Sequence, residues 1–175
     1  MGLLRRYIKS CEGVIAVEFS FVALPFILLV VGTLEMAIMF ASQSLLDGAT
    51  GNASRLIRTG QLQEEGDPQA AFAQAVCNTA QALMNCDDLQ FQVISVDDFE
   101  DADDLPDASF DEDGNLEDQA FDPGNENDVV LIRVVYTYNI ATPMFQPLLT
   151  NMGNDKRIIM STVVLQNEPY QWNVN

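Results

Sequence analysis

An apolar run near the N-terminus is the feature that most restricts what this chain can fold into. No charged residue occurs from Phe19 to Leu34, and residues 36–41 continue the run beyond Glu35. About 20 apolar residues are enough for a helix to cross a bilayer. Three basic residues precede the run and none follows until Arg55, so the positive-inside rule predicts a cytoplasmic N-terminus and export of everything C-terminal. A cleavable secretory signal has an apolar core of only about 7–15 residues, so this segment is predicted to stay on the protein.

The charge balance argues against several classes of function. The chain has 26 acidic residues, 8 basic residues and no histidine, for a net charge of -18. Nucleic-acid binding depends on clustered Lys and Arg, and histidine catalysis or ligation needs a histidine. Paired carboxylates such as Asp103 and Asp104 lie in an acidic loop, where catalytic geometry is difficult to maintain. We therefore expect no enzyme, no cofactor and no nucleic-acid partner.

The pattern divides the chain into a basic leader (1–13), an anchor and assembly helix (14–60) and an exported domain (61–175). The helix is apolar all round at first and then amphipathic, with Gly60 as its expected stop. Gly48 and Gly51 weaken its middle and allow a kink or break there.

The exported domain reads as α+β. A helix is predicted to begin at Asp67 and Pro68, and strands are predicted at 89–96, 128–142 and 156–166. Residues 143–154 are predicted as a short helix or structured loop. One or two helices packed on a three- or four-stranded antiparallel sheet fit this order. Residues 97–128 carry fifteen acidic and no basic residues, which predicts a mobile loop that Phe and Leu side chains could pin in places.

A short motif lies where the leader meets the apolar run. Gly13 to Phe19 has the form G-x-x-x-x-E-F. Cleavage after Gly13 would make Val14 the new N-terminus and Glu18 its fifth residue, one helical turn away. The Glu18 carboxylate could then pair with an α-ammonium group, its own or that of a neighbouring helix. Between helices, such a pair would favour one axial stagger.

This segment resembles the class III signal of type IV pilins and pseudopilins. "RLIRTGQLQ" (55–63) and "NEPY" (167–170) are similar to stretches of the TadE-like minor pseudopilins of the tight-adherence (Flp) pilus system. The resemblance implies cleavage between Gly13 and Val14 by a prepilin peptidase, with Glu18 and Phe19 serving in assembly. It also implies a single-pass, inner-membrane subunit of pilus biogenesis. Its partners would be the lipid bilayer, other pilus subunits and inner-membrane assembly proteins.

Two alternatives to this interpretation remain open. Glu18 could be a polar residue at the cytoplasmic interface of a plain signal anchor. The chain would then be an unprocessed, membrane-anchored periplasmic module that binds calcium or a partner. Glu35 has no role that the resemblance implies, and a solvated position near the outer interface or a contact in a helix bundle would explain it.

Two other groups of residues suggest local chemistry. Cys77 and Cys86 would form a disulfide in an oxidising exterior, but only if the helix ends before about Met84; two buried free thiols are the alternative. Asp111, Asp113 and Asn115 alternate around Gly114 as in a calcium loop. The acidic residue that an EF-hand needs six residues after Gly114 is absent, because Ala120 occupies that position. A solvated acidic loop is therefore favoured over a metal site.

Overall fold

The structure is a computed structural model that describes residues 14–96, 107–152 and 156–169. Its order is helix α1 (Val14–Arg58), helix α2 (Pro68–Ala80), strand β1 (Leu89–Val96), strand β2 (Val129–Asn139), helix α3 (Gln146–Leu149) and strand β3 (Lys156–Gln166). Short 3₁₀ helices at Leu62–Glu64 and Cys86–Asp88 follow α1 and precede β1. The predicted α+β class is confirmed.

Helix α1 is continuous over 45 residues, including Pro25, Gly48 and Gly51. At 1.5 Å per residue it is about 67 Å long, more than twice the thickness of a bilayer core. The expected stop is present, because Gly60 has a φ of 76° and its N–H donates to the carbonyl of Ile57.

Helix α2 starts where the sequence predicts. Pro68 is its first residue, and the Asp67 side chain accepts a hydrogen bond from the N–H of Ala70 at 3.0 Å. The helix ends at Ala80, so the chain can turn back toward it. Cys77 and Cys86 form a disulfide with their Cα atoms 5.5 Å apart. This is the bond that was favoured over two free thiols.

The three strands form an antiparallel sheet in the order β1-β2-β3, so β2 is central. One face of the sheet packs on the helices, and alternate residues of each strand enter the core there. Val93 of β1, Ile132 of β2 and Val163 of β3 lie side by side on that face.

The hydrophobic core joins the second half of α1 to the rest of the domain. Residues of α1 at helical spacing are buried in one cluster with α2 and the sheet: Met39, Leu46, Ala49, Ala53 and Ile57. Phe72 of α2 is fully buried and makes an edge-to-face contact with Phe91 of β1, with 5.6 Å between ring centroids. The predicted division at residue 60 thus separates two parts of one core.

The described part of the acidic loop, residues 107–128, is packed against the sheet. Val93 exchanges backbone hydrogen bonds with Ala120 and Asp122, which adds a short bridge beside β1. Leu116 is 3% exposed, and the ring of Phe121 lies 5.7 Å from that of Phe72. These apolar side chains hold the loop against the sheet, although the loop carries many acidic residues. Residues 97–106 of the predicted loop lie outside the described residues.

Candidate functional site

The predicted processing and assembly residues lie at the start of α1. Val14 is the first described residue and already helical, whereas Gly13 and the rest of the leader lie outside the described residues. Glu18 and Phe19 are exposed, and Phe19 is 72% accessible. Within the ranges that the structure describes, Glu18 has neither a hydrogen bond nor an ion pair. Any partner for its carboxylate must therefore come from outside the described residues of this chain.

The first half of α1 has the character of a membrane span. It belongs to a helix, Ile15–Arg58, that contains an 18-residue window of mean hydropathy 2.4, none of which is buried. Its large apolar side chains project outward: Ile15, Val17, Phe19, Phe21, Val22, Leu24, Phe26, Ile27 and Leu29. A helix that is apolar all round needs lipid or other helices to cover it. The described residues contain one helix long and apolar enough to cross a membrane.

Glu35 is the point where α1 joins the end of the sheet. Its Oε1 accepts hydrogen bonds from the Tyr138 hydroxyl and the Ala141 N–H, both at 3.0 Å. Its Oε2 accepts one from the Thr142 hydroxyl at 2.8 Å. Glu35 is only 5% exposed. We call these four residues the Glu35 cluster.

The Glu35 cluster corrects both explanations offered for this glutamate. The side chain is neither solvated nor left over for a bundle contact, because three donors of its own chain surround it. The predicted strand 128–142 is also too long: β2 ends at Asn139, and the next residues leave the sheet to reach α1. The available signal was a lone carboxylate in an apolar helix, which needs donors. Which groups of the chain act as these donors depends on the tertiary fold.

Burial, the hydrogen bond to Glu35 and the negative charge of that residue together raise the pKa of Tyr138 to about 12. The phenol therefore remains a protonated donor at any physiological pH. Hydrogen bonds to an ionised acceptor are roughly twice as strong as bonds between neutral groups. The Glu35 cluster is thus a polar connection between anchor and domain.

A second contact with α1 is apolar and lies one turn before Glu35. The ring of Phe145 packs on Gly32 so closely that a Cβ at that position would lie 2.7 Å from its Cζ. Only glycine leaves room for the ring. The contact opens into an apolar groove of about 290 Å³ lined by Leu28, Leu29, Gly32, Thr33, Met36, Phe145, Leu148 and Leu149.

The two stretches quoted for the family resemblance converge at the opposite end of the domain. Arg58 and Glu168 form a salt bridge at 3.4 Å, and the N–H of Glu168 donates to the carbonyl of Arg58 at 2.8 Å. Gln63 and Asn167 both donate to the carbonyl of Pro123, at 3.2 and 2.9 Å. These stretches close the end of the core. Tyr170 of the second stretch lies outside the described residues.

The residues that suggested calcium form a turn. The Asp111 carboxylate accepts hydrogen bonds from the backbone N–H groups of Asp113 and Asn115, at 2.9 and 2.7 Å, and from the Asn115 side chain at 3.0 Å. The bonds from Asn115 lower the pKa of Asp111. Gly114 supplies the positive φ of 84° that the turn requires. Over the described ranges, no group of three or more potential His, Cys, Asp or Glu ligands is present.

Comparison with known protein families gives a match to the first part of the chain. The model of the family described as TadE-like protein matches residues 13–55, which confirms the predicted resemblance for this quarter of the chain. The match starts at the glycine of the sequence motif and ends three residues before α1 does. No curated protein and no solved structure matches the chain.

Proposed function

We propose that this chain is a TadE-like, membrane-anchored subunit that takes part in the biogenesis of a tight-adherence pilus. The observation that carries the proposal is the family match over residues 13–55, which coincides with the exposed apolar helix. An apolar helix that continues into a domain core can anchor a subunit first and pack against other subunits later. The subunit would act through assembly and not through catalysis.

Processing is the first step of this proposal. A prepilin peptidase would cut between Gly13 and Val14, and the residues that follow the cut are helical. Inner-membrane insertion with the N-terminus in the cytoplasm would place the cut on the cytoplasmic side. The domain carried by the second half of α1 would then lie in the periplasm or on the pilus.

Assembly would use Glu18. In the single chain this carboxylate is exposed and has no partner among the residues that the structure describes. The α-ammonium group of Val14 in a neighbouring helix would supply one. At about 4 Å and an effective dielectric constant of about 20, the attraction is roughly 4 kcal/mol before desolvation. The pairing would stabilise one axial offset between neighbouring helices, whose apolar surfaces alone would allow them to slide past one another.

N-terminal sequencing of membrane-extracted protein, from a host with an active prepilin peptidase, tests the proposal. We expect the wild type to begin at Val14 and Gly13→Leu to keep its leader. Gly2→Leu, which places the same side chain elsewhere in the leader, is the matched control and should be cut normally. An uncut leader on most of the wild-type protein would instead favour the unprocessed, anchored periplasmic module.

A further inference from the structure

An apolar segment of the domain points away from the core beside the anchor helix. Residues 143–149 carry no charge, although the chain as a whole has a net charge of -18. Met144 is 60% exposed and Leu148 is 78% exposed. Outside α1, they are the two most exposed large apolar side chains in the part of the chain that the structure describes. We call residues 143–149 the apolar segment.

The apolar segment is fixed to α1 and not merely close to it. Phe145 occupies the space above Gly32, and the groove between them is lined on the α1 side by residues of the predicted span, including Leu28 and Leu29. The neighbouring Thr142 is bonded to Glu35. The level of the apolar segment along α1 is therefore set by two separate contacts.

The length of the span places this level inside the bilayer. A hydrocarbon core about 30 Å thick corresponds to about 20 helical residues. Counted from Ile15 the core would end near Leu34, and counted from Phe19 near Ile38. Gly32 lies about 20–26 Å along the helix from these starting points, within the core in both cases. A tilted helix would place Gly32 deeper still.

Basic residues border the apolar segment. From residue 61 onward the chain has three basic residues, and two of them, Lys156 and Arg157, begin β3 at this end of the sheet. Arg157 donates to the carbonyl of Leu149 in the apolar segment at 2.8 Å. Cations next to an apolar surface suit the boundary between acyl chains and phosphate groups.

We propose that the apolar segment inserts into the outer leaflet of the membrane that α1 spans, so that the domain lies directly on the lipid surface. This inference relies on the membrane anchoring in the proposed function. The occupant of the exposed face is lipid, because the face is continuous with the lipid-facing surface of α1. The enclosed Glu35 cluster fits the same location: its carboxylate has three donors and need not face hydrocarbon.

Depth-dependent quenching by brominated lipids tests this inference. The full chain would be placed in phosphatidylcholine nanodiscs after its single tryptophan, Trp172, is changed to phenylalanine. One tryptophan is then introduced at a time: Leu148→Trp in the apolar segment, Phe26→Trp in the span, and Glu126→Trp as the matched domain control. Glu126 is exposed and lies beyond the other end of β2, about 35 Å from Asn139.

We expect lipids brominated near the headgroup to quench Leu148→Trp several-fold more than Glu126→Trp, and deep bromines to quench Phe26→Trp most. Quenching of Phe26→Trp without quenching of Leu148→Trp would overturn the inference and leave the anchor intact. In that case, blue-shifted emission from Leu148→Trp would indicate that a second protein copy covers the segment. Absence of quenching at Phe26→Trp would overturn the anchoring itself.

Discussion

At the scale of single residues, Glu35 links two parts of the chain that are about a hundred positions apart in sequence. A carboxylate in an apolar helix is costly unless hydrogen bonds compensate for its desolvation. Here the compensation comes from the residues at and just after the end of β2, which bond to both carboxylate oxygens. The hydrogen bonds that compensate for burying the charge of Glu35 therefore also fix the position of the domain on α1.

Glu35→Ala should therefore loosen the domain from α1. The three donors would lose their acceptor, and an unsatisfied buried polar group costs about 1–3 kcal/mol. We expect a loss of roughly 2–3 kcal/mol in the free energy of unfolding in detergent micelles, with Glu35→Gln intermediate. Hydrogen exchange should accelerate at the Ala141 N–H. Glu18→Ala, which removes an exposed carboxylate from the same helix, is the control; equal effects of the two alanine variants would contradict a docking role for Glu35.

Tyr138 gives the same contact a pH dependence at the alkaline end. Its pKa is raised from 10.0 to about 12, so the folded state holds the phenol proton more tightly than the unfolded state does. This stabilisation is complete below pH 10 and should be lost as the pH rises toward 12. Tyr138→Phe should flatten that part of the curve of unfolding free energy against pH. An unchanged slope in the variant would mean that Tyr138 is not the source of this pH dependence.

At the scale of elements, the sequence pattern predicted those helix ends and strands that depend on neighbouring residues in the chain. The Asp67-Pro68 start of α2, the Gly60 stop of α1 and the β-branched strands follow from capping, backbone freedom and side-chain shape. The end of β2 was missed, because residues 140–142 keep a strand-like composition, but Ala141 and Thr142 leave the sheet and bond to Glu35. For residues 97–128 the acidic composition predicted a mobile loop that Phe and Leu side chains could hold in places, and in the described part Leu116 and Phe121 do pack against the rest of the domain.

The same limit applies to the candidate site. The G-x-x-x-x-E-F motif is local, so Gly13, Val14, Glu18 and Phe19 could be named from the sequence. The Glu35 cluster and the Gly32–Phe145 contact join α1 to residues more than a hundred positions later. Nothing in the local pattern of either partner specifies the other. These contacts could be identified only from the three-dimensional fold.

The assembly role of α1 leads to a prediction for Glu18. Glu18→Gln should leave membrane insertion intact, because a neutral side chain is easier to bury, but it should reduce pilus yield and crosslinking between anchor helices. Glu18→Asp keeps the charge with a shorter reach and should be intermediate. Glu35 is unsuitable as a control, since its carboxylate serves the domain. Asp47→Asn, an exposed carboxylate of the same helix, is suitable, and equal behaviour of Glu18→Gln and Asp47→Asn would exclude a special role for Glu18.

At the scale of the whole molecule, the anchor and the domain are one structure. The large apolar side chains of α1 from Ile15 to Ile27 are exposed in the part of the chain that the structure describes, whereas the second half supplies buried residues such as Leu46 and Ile57 to the core. Movement of the helix would therefore carry the domain with it. If the subunit leaves the membrane for a fibre, other subunits must cover both the span and the apolar segment.

Because α1 and the domain share one hydrophobic core, we predict that the domain cannot be separated from α1 at the residue where the helix stops. A fragment of residues 61–175 lacks the α1 side chains of the core, so the faces of α2 and the sheet that they cover would be exposed. We expect it to aggregate or to lack a cooperative thermal transition. A fragment of residues 43–175 keeps Leu46, Ala49, Ala53 and Ile57 and omits the span, and it should unfold in one cooperative transition. Full burial of a large aliphatic side chain contributes about 1.5–3 kcal/mol, so losing Leu46 and Ile57 alone removes a large part of the stability of a small domain. Circular dichroism and size-exclusion chromatography would distinguish the fragments, and equally cooperative unfolding of both would show that the domain core does not depend on α1.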